Sequence, residues 1–335
     1  MELPVYRASN TIAHDLVHTS LKVSFDWKKR RMAGIAQITL HPHFKTSNEV
    51  VLNARGMQIN EVSLVRPDKN ILLGYEYHHD SLIISLDRDY KKEENYTLYI
   101  DYVARPEELD SIGGSSAITS DKGLYFINAD GKDKYKPRQL WTQGETQSNS
   151  VWFPTIDATN QKMTQDIAIT VDSSMVTLSN GLLIKSISNP DGSRTDYWKQ
   201  TLPHAPYLAM MCVGNYAVVK DSWRGKEVSY YVEPEFRDVA HNIFGKTPEM
   251  MEFFSTKLGV PFAWEKYAQV VARDYVSGSM ENSSATLHGE FLQQTPREML
   301  DESYEEFISH ELFHQWFGDL VTKISGFFTI FIFIP

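Results

Sequence analysis

His310-Glu311-Leu312-Phe313-His314-Gln315-Trp316-Phe317-Gly318-Asp319 is the run on which the reading of the whole chain turns. On a helix, residues i and i+4 share a face, so the imidazoles of His310 and His314 can reach one metal ion. Zinc accepts neutral imidazole nitrogen, and a catalytic zinc keeps three protein ligands and a water. The ion draws the water's pKa toward neutrality, and Glu311 stands where a general base for that water belongs. The surroundings predict a helix. Thr295-Pro296-Arg297-Glu298 has capping-box spacing with proline at the first helical position, and Asp301 is a second candidate cap. Phe307, Ile308, Leu312, Phe313, Trp316 and Phe317 form the broad apolar surface of a buried helix, with Gly318 a candidate stop. The longer zinc pattern H-E-x-x-H-x-x-G-x-x-H is excluded, because the glycine and third-ligand positions hold Phe317 and Leu320.

About one strand-turn-helix unit upstream lies Gly278-Ser279-Met280-Glu281-Asn282, and further back Thr142-Gln143-Gly144-Glu145 precedes Trp152-Phe153-Pro154-Thr155-Ile156-Asp157. Read alone, Glu281 is a solvated loop acid, and Gln143 and Glu145 are ordinary loop polars. Taken in order, G-x-M-E-N, H-E-L-x-H-Q-W-F-G and T-Q-x-E...F-P-x-x-D resemble the M1 (gluzincin, aminopeptidase N-like) zinc aminopeptidases, over nearly the whole chain to about Lys323. The resemblance implies one Zn2+ on His310 and His314, with Glu311 as the catalytic base. It places Glu281, assisted by Glu145 and Gln143, on the free α-amine of a peptide substrate. An ammonium group needs such charge-assisted hydrogen bonds. The Gly278 and Ser279 backbone would line the peptide, Met280 would border the first side-chain pocket, and Asn282 completes the segment.

The sequence then departs from that pattern. The family's third ligand is a glutamate in the register H-E-x-x-H-x18-E, and that position is Phe333. No Asp or Glu follows Asp319, and the family's transition-state tyrosine has no match, Tyr275 and Tyr304 lying elsewhere. Two histidines alone make an open site from which zinc is lost or held loosely. Residues 323–335 form an apolar tail whose Ile324–Pro335 stretch, Phe/Ile-rich and uncharged, is too short to span a bilayer as a helix and suits an aggregation-prone strand. The abrupt change reads as a frameshift or premature end of a longer frame. Two functions therefore stand side by side: a zinc aminopeptidase releasing N-terminal residues, inactive as this chain for want of the third ligand, or a non-enzymatic fragment that binds peptide N-termini weakly through Glu145 and Glu281.

The formal charge of −10 disfavours nucleic acid, and one cysteine, Cys212, excludes an internal disulfide. Met1-Glu2-Leu3-Pro4 opens without the basic and apolar regions of a signal peptide, so a soluble chain is expected, with loss of an upstream export signal as the alternative. The expected fold class is α+β and multidomain. Period-2 alternation at Leu21, Val23, Phe25, Trp27, at Ala36, Ile38, Leu40, at Tyr96, Leu98, Ile100, Tyr102 and at Ile167, Ile169, Val171 predicts an N-terminal antiparallel β-sandwich or saddle over 1–221. Lys28-Lys29-Arg30-Arg31 reads as a solvated hairpin turn, and Asn189-Pro190-Asp191-Gly192 as a second turn.

Residues 222–322 form, by the resemblance, the first half of a thermolysin-like peptidase domain, followed by the apolar tail. A strand is expected over Val228–Val232, a helix from Glu235 to Phe244, and a second from Pro248 to Leu258, capped by Thr247 and closed by Gly259. A strand over Tyr267–Arg273 and an edge strand from Thr286 to Phe291 follow. His41, His43, His78 and His79 read as surface histidines with no acid in register, and His288 as a structural residue near the site.

Overall fold

The computed structural model describes residues 11–109 and 117–322. The expectations for residues 323–335, Phe333 among them, lie outside these residues. The alternating apolar runs become strands of an eight-stranded sheet. At its middle, His14–Asp26 pairs antiparallel with Arg31–Pro42 and parallel with Met163–Asp172. Leu21, Val23, Ala36, Ile38, Leu40, Leu98, Ile100, Tyr102, Ile167 and Ile169 all turn inward. A two-residue repeat delivers every second side chain to one face. The basic residues Lys28–Arg30 occupy the first hairpin turn, and Gly192, at φ 85°, the turn at Asn189–Gly192. A three-stranded sheet containing Ser47–Asn53 and Ser81–Tyr90 shares the same core, as does a four-stranded sheet containing Gln139–Thr142 and Met211–Gly214. The last of these matters most, because Gln139–Thr142 delivers Gln143 and Glu145 to the site. One expectation fails on the eight-stranded sheet: an acid does stand in register with one of the histidines. Asp15 lies directly across from His41, and His43 Nδ1 approaches its carboxylate to 2.7 Å.

A second sheet runs in the order Ala217–Trp223, Lys226–Val232, Tyr267–Ala272, Ala285–Gly289, Ser279–Met280. The sequence division at Asp221 falls inside its first strand; the chain changes sheets between Gly214 and Ala217. The edge strand expected over Thr286–Phe291 forms over Ala285–Gly289. It is instead interior, parallel to Tyr267–Ala272, because Ser279–Met280 folds back antiparallel to it and takes the edge. Residues expected as one helix from Glu235 divide into a 3-10 turn, Pro234–Val239, and a short helix, Ala240–Phe244. Helix Thr247–Leu258 ends at Gly259 in the left-handed region, φ 65°, as the stop signal requires. Thr247 does not cap it, because its hydroxyl donates backward to Phe244 O at 2.6 Å.

The helix bearing the histidine run is Glu305–His314. The capping box upstream does form, Thr295 N donating to Glu298 Oε2 at 2.7 Å, but it closes the 3-10 turn Glu298–Leu300 rather than this helix. Ile308, Leu312 and Trp316 are buried in the second core, whereas Phe317 is 42% exposed, since the helix ends at His314 and its 3.6-residue period ends with it.

The two regions are joined by buried polar bonds. Trp141 Nε1 donates to Arg273 O, Asn180 Nδ2 to Ser283 O, and Lys266 Nζ to both Ser179 O and Ser284 O at 3.0 and 3.1 Å. Lys266 is 3% exposed, and burial pushes its ammonium down to about 7. A base whose folded pKa lies below its unfolded value near 10.4 destabilises the fold while charged. Stability is therefore expected to rise with pH between about 7 and 10, by up to ~1.4 kcal/mol per pH unit from this group. Urea unfolding at pH 7 and pH 9 checks it: the wild-type chain gains more stability than Lys266→Met over that interval, and equal gains would show that Lys266 is not the titrating group.

Candidate active site

The site forms where three parts of the chain meet: the end of helix Glu305–His314, the edge strand Ser279–Met280 with its following turn, and the loop after Gln139–Thr142. On the helix, one turn of separation brings His310 Nε2 within 3.1 Å of His314 Nε2. Two nitrogens bound to one tetrahedral zinc stand about 3.3 Å apart. The pair is thus already at metal-sharing distance. His314 Nδ1 lies 2.9 Å from Phe317 O, so Nδ1–H donates there and Nε2 presents its lone pair to the shared point. Gly318 makes this possible. It takes φ 145°, and a Cβ at this position would stand 3.0 Å from His314 Nδ1. The glycine expected to stop the helix thus gives room to the outer nitrogen of His314.

Carboxylates crowd the same place. Oxygens of Glu281 and Glu311 and a ring nitrogen of His314 all lie within 4.8 Å of one another. Glu311 is 6% exposed, and its carboxyl is pushed well above the usual range by burial first, then by the charges of Glu281 and Glu145. Asp319 is fully buried, neither carboxylate oxygen has a hydrogen-bond partner among the described residues, and burial with the Glu281 charge raises it too. Buried, unpaired carboxylates cost free energy that a cation would offset. The donor set, two imidazoles with converging carboxylates, therefore fits a divalent cation of the zinc type.

Gln315 ties the helix to the edge strand. Its Nε2 donates to Glu281 O at 3.0 Å, and its Oε1 accepts from Ser284 N at 2.8 Å. Glu281 receives a second contact from Tyr207, whose hydroxyl lies 3.4 Å from Oε1. Burial first, then Glu281, holds that phenol well above its ordinary value, so it remains a donor. Met280 is buried with Ala205, Tyr207 and Leu208, and partly buried Tyr275 packs on them. Gln143 lies behind it, Nε2 at 3.5 Å from Met280 Sδ and Oε1 accepting from Tyr275 at 2.9 Å. Gly144 is required here: a Cβ would meet Tyr207 O at 2.1 Å. Asn282 points away from the opening, fully buried, its Nδ2 reaching Leu208 O at 3.4 Å. Ser279 Oγ is 2.7 Å from His288 Nδ1, and His288 Nε2 is 3.1 Å from Gln269 Oε1. Burial pushes that imidazole down to about 3, so it stays neutral and anchors the strand.

Sequence reasoning named His310, Glu311, His314, Glu281, Glu145, Gln143, Gly278, Ser279, Met280 and Asn282. The structure brings Glu281 and Glu311 together with His314, sets Gln143 against Met280, and leaves Glu145 close enough for its charge to raise Glu311. Gln315, Tyr207 and Asp319 were missed. Gln315 did carry a signal, being polar inside an apolar run, which demands a buried partner. Tyr207 had none, since it meets Glu281 across 74 residues.

Residues 13–208 match the Peptidase M1 N-terminal domain, and residues 243–325 the Peptidase family M1 domain. The chain is 26% identical to endoplasmic reticulum aminopeptidase 1 of Mus musculus over 336 residues, covering 96% of this chain and 34% of that protein. It is similar also to glutamyl aminopeptidase of Homo sapiens, 29% identical over 175 residues, 51% of this chain and 18% of that protein. The bovine glutamyl aminopeptidase, from Bos taurus, is 31% identical over 176 residues. The chain thus spans about a third of the length of the first of these relatives. No helix among the described residues is long and apolar enough to cross a membrane.

Replacing Gln315 by Leu leaves Glu281 O and Ser284 N without partners in a buried site. Each unsatisfied group costs about 1–3 kcal/mol, so Gln315→Leu is expected to lose ~2–4 kcal/mol of stability by urea unfolding. A loss under about 0.5 kcal/mol would show that the clamp is not formed.

Proposed function

The chain belongs to peptidase family M1, and on that premise we propose that its site receives the free amino end of a peptide beside a zinc position. The observation that carries this reading is the convergence of Glu281 and Glu311 on His314, whose ring already shares a point with His310. Zinc bound by the two imidazoles would polarise the first peptide carbonyl and acidify a water. Glu311 faces that point from the same helix and accepts the water's proton as general base. Its carboxylate lies within 4.8 Å of a His314 ring nitrogen, near enough to serve a water held there. Glu281, with Glu145 and Gln143 alongside, holds the substrate ammonium. A chain end is recognised because its ammonium neutralises these acids and an acylated amine does not. The Gly278–Ser279 backbone runs along the peptide, and Met280, backed by Tyr207 and Tyr275, borders the first side-chain pocket.

Residues 222–322 then constitute the metal-bearing half of the peptidase region, and residues 1–221 contribute Gln143, Glu145 and Tyr207 to it. Phe333 stands in the register of the family's third ligand. The 335 residues in hand are therefore proposed to bind peptide N-termini without turning them over. Alanyl- and leucyl-anilides with added zinc are expected to release no measurable product. Turnover that disappears in Glu311→Gln would contradict this. Leucylglycylglycine is expected to bind at least about tenfold more tightly than its N-acetyl form, and Glu281→Gln to remove the difference. Equal affinity for both peptides would count against an amine-recognising site.

A further inference from the structure

We propose that a cleft in the N-terminal region, between strand Ser47–Asn53 and the loop at Asp157, binds a small aliphatic amine whose ammonium is held by Glu49 and Asp157. The cleft has a volume of about 330 Å³, and no residue of the histidine helix lines it. The two-residue period of the strand builds one wall. Val50 and Leu52 enter the core, so Ser47, Glu49, Val51 and Asn53 share the opposite face and line the cleft. The chain entering the first strand, from Thr11 to His14, and the loop from Ile156 to Gln161 supply the rest. Hydrogen bonds hold these walls in shape. Asp157 N donates to Asn53 Oδ1 at 2.9 Å, Gln147 Nε2 to Asp157 O at 3.0 Å, and Gln161 Nε2 to His14 O at 2.9 Å.

The lining has the chemistry of a cation site. Glu49 and Asp157 are its acids, and no Lys or Arg lines it among the described residues. Its one histidine, His14, adds no positive charge, because burial holds the imidazole below its ordinary value. Asp157 is 2% exposed and only half satisfied. Oδ2 accepts from Ser150 N at 2.8 Å, whereas Oδ1 has no hydrogen-bond partner among the described residues, and neither has His14 Nε2. Burial raises the Asp157 carboxyl to about 7. Arg55, the cation whose charge opposes that rise, is engaged by Asp80 at 3.7 Å and Asp121 at 3.0 Å. A buried carboxylate with an unused oxygen is costly, and a charge-assisted hydrogen bond from an ammonium group offsets that cost. Glu49 is exposed where Asp157 is buried, so an arriving amine meets Glu49 first. Ile12, Val51 and Ile156 offer apolar contact to its alkyl chain. Small-molecule sites run from about 300 to 1,000 Å³, and this cleft, at the small end, suits a short amine rather than a long peptide.

Calorimetric titration with putrescine, a four-carbon diamine, tests this at pH 8 and about 0.15 M salt. The whole chain carries Glu281→Gln throughout, so that the carboxylate assigned to substrate amines takes no part. Putrescine is expected to bind, and the uncharged four-carbon diol to bind at least about tenfold more weakly. Adding Glu49→Gln or Asp157→Asn is expected to weaken putrescine about fivefold or more in each case. Val51→Trp, which fills the cleft from the exposed face of its strand without changing charge, is expected to weaken it about tenfold or more. Matching urea midpoints confirm that the variants are folded. Where Asp157→Asn lowers the midpoint, the exposed positions Glu49 and Val51 decide. A chain that does not bind putrescine, equal affinity for the diol, or affinity unchanged in Glu49→Gln or Val51→Trp overturns the inference.

Discussion

The carboxamide of Gln315 is the contact on which the site's geometry depends. It is one side chain with a donor and an acceptor, placed one residue past His314, and both ends are spent on the backbone of a single turn. Through it, the helix that carries the two imidazoles and the strand that carries Glu281 become one rigid piece. A neutral amide suits this place because it is satisfied without adding charge to a pocket already holding Glu281, Glu311 and Asp319. Around it the remaining supports fall into place: Gly318 gives His314 room for its outer hydrogen bond, and His288 pins the strand at Ser279 through a neutral ring.

The electrostatics follow from the same crowding. Two buried acids, Glu311 and Asp319, are raised by burial and by their acidic neighbours, and the nearest cation in contact with Asp319, Lys162, reaches its backbone carbonyl rather than its carboxylate. Burial of unpaired negative charge is unfavourable unless something positive enters. A divalent ion and an ammonium group are two species whose charge would offset that of these acids.

Much of this was legible in the sequence. Strands with a two-residue period were visible because burial on one face enforces it, and the helix period exposed His310 and His314 as a pair. Local signals proved less secure. The capping box at Thr295–Glu298 formed its bonds on a 3-10 turn instead of the motif helix, and Thr247 turned back to Phe244 rather than capping, since short hydrogen-bonding motifs do not state which element they close. The edge position of Ser279–Met280 could not be read either, because strand order is decided by pairing partners and not by the strand's own residues. Tyr207 and Asp319 were invisible for a related reason: each acquires its role from neighbours brought in by the fold. Glu281 shows both sides. Its identity as a functional acid came only from the motif around it, while its closeness to His314 is a fact of packing.

The central claim is that the two motif imidazoles, His310 and His314, share one metal-binding point. Zinc K-edge absorption on the chain loaded with one equivalent of zinc tests it directly. Two imidazole ligands in the same shell are predicted, the imidazole contribution falling by half in His314→Ala. A shell with one imidazole or none would contradict the account.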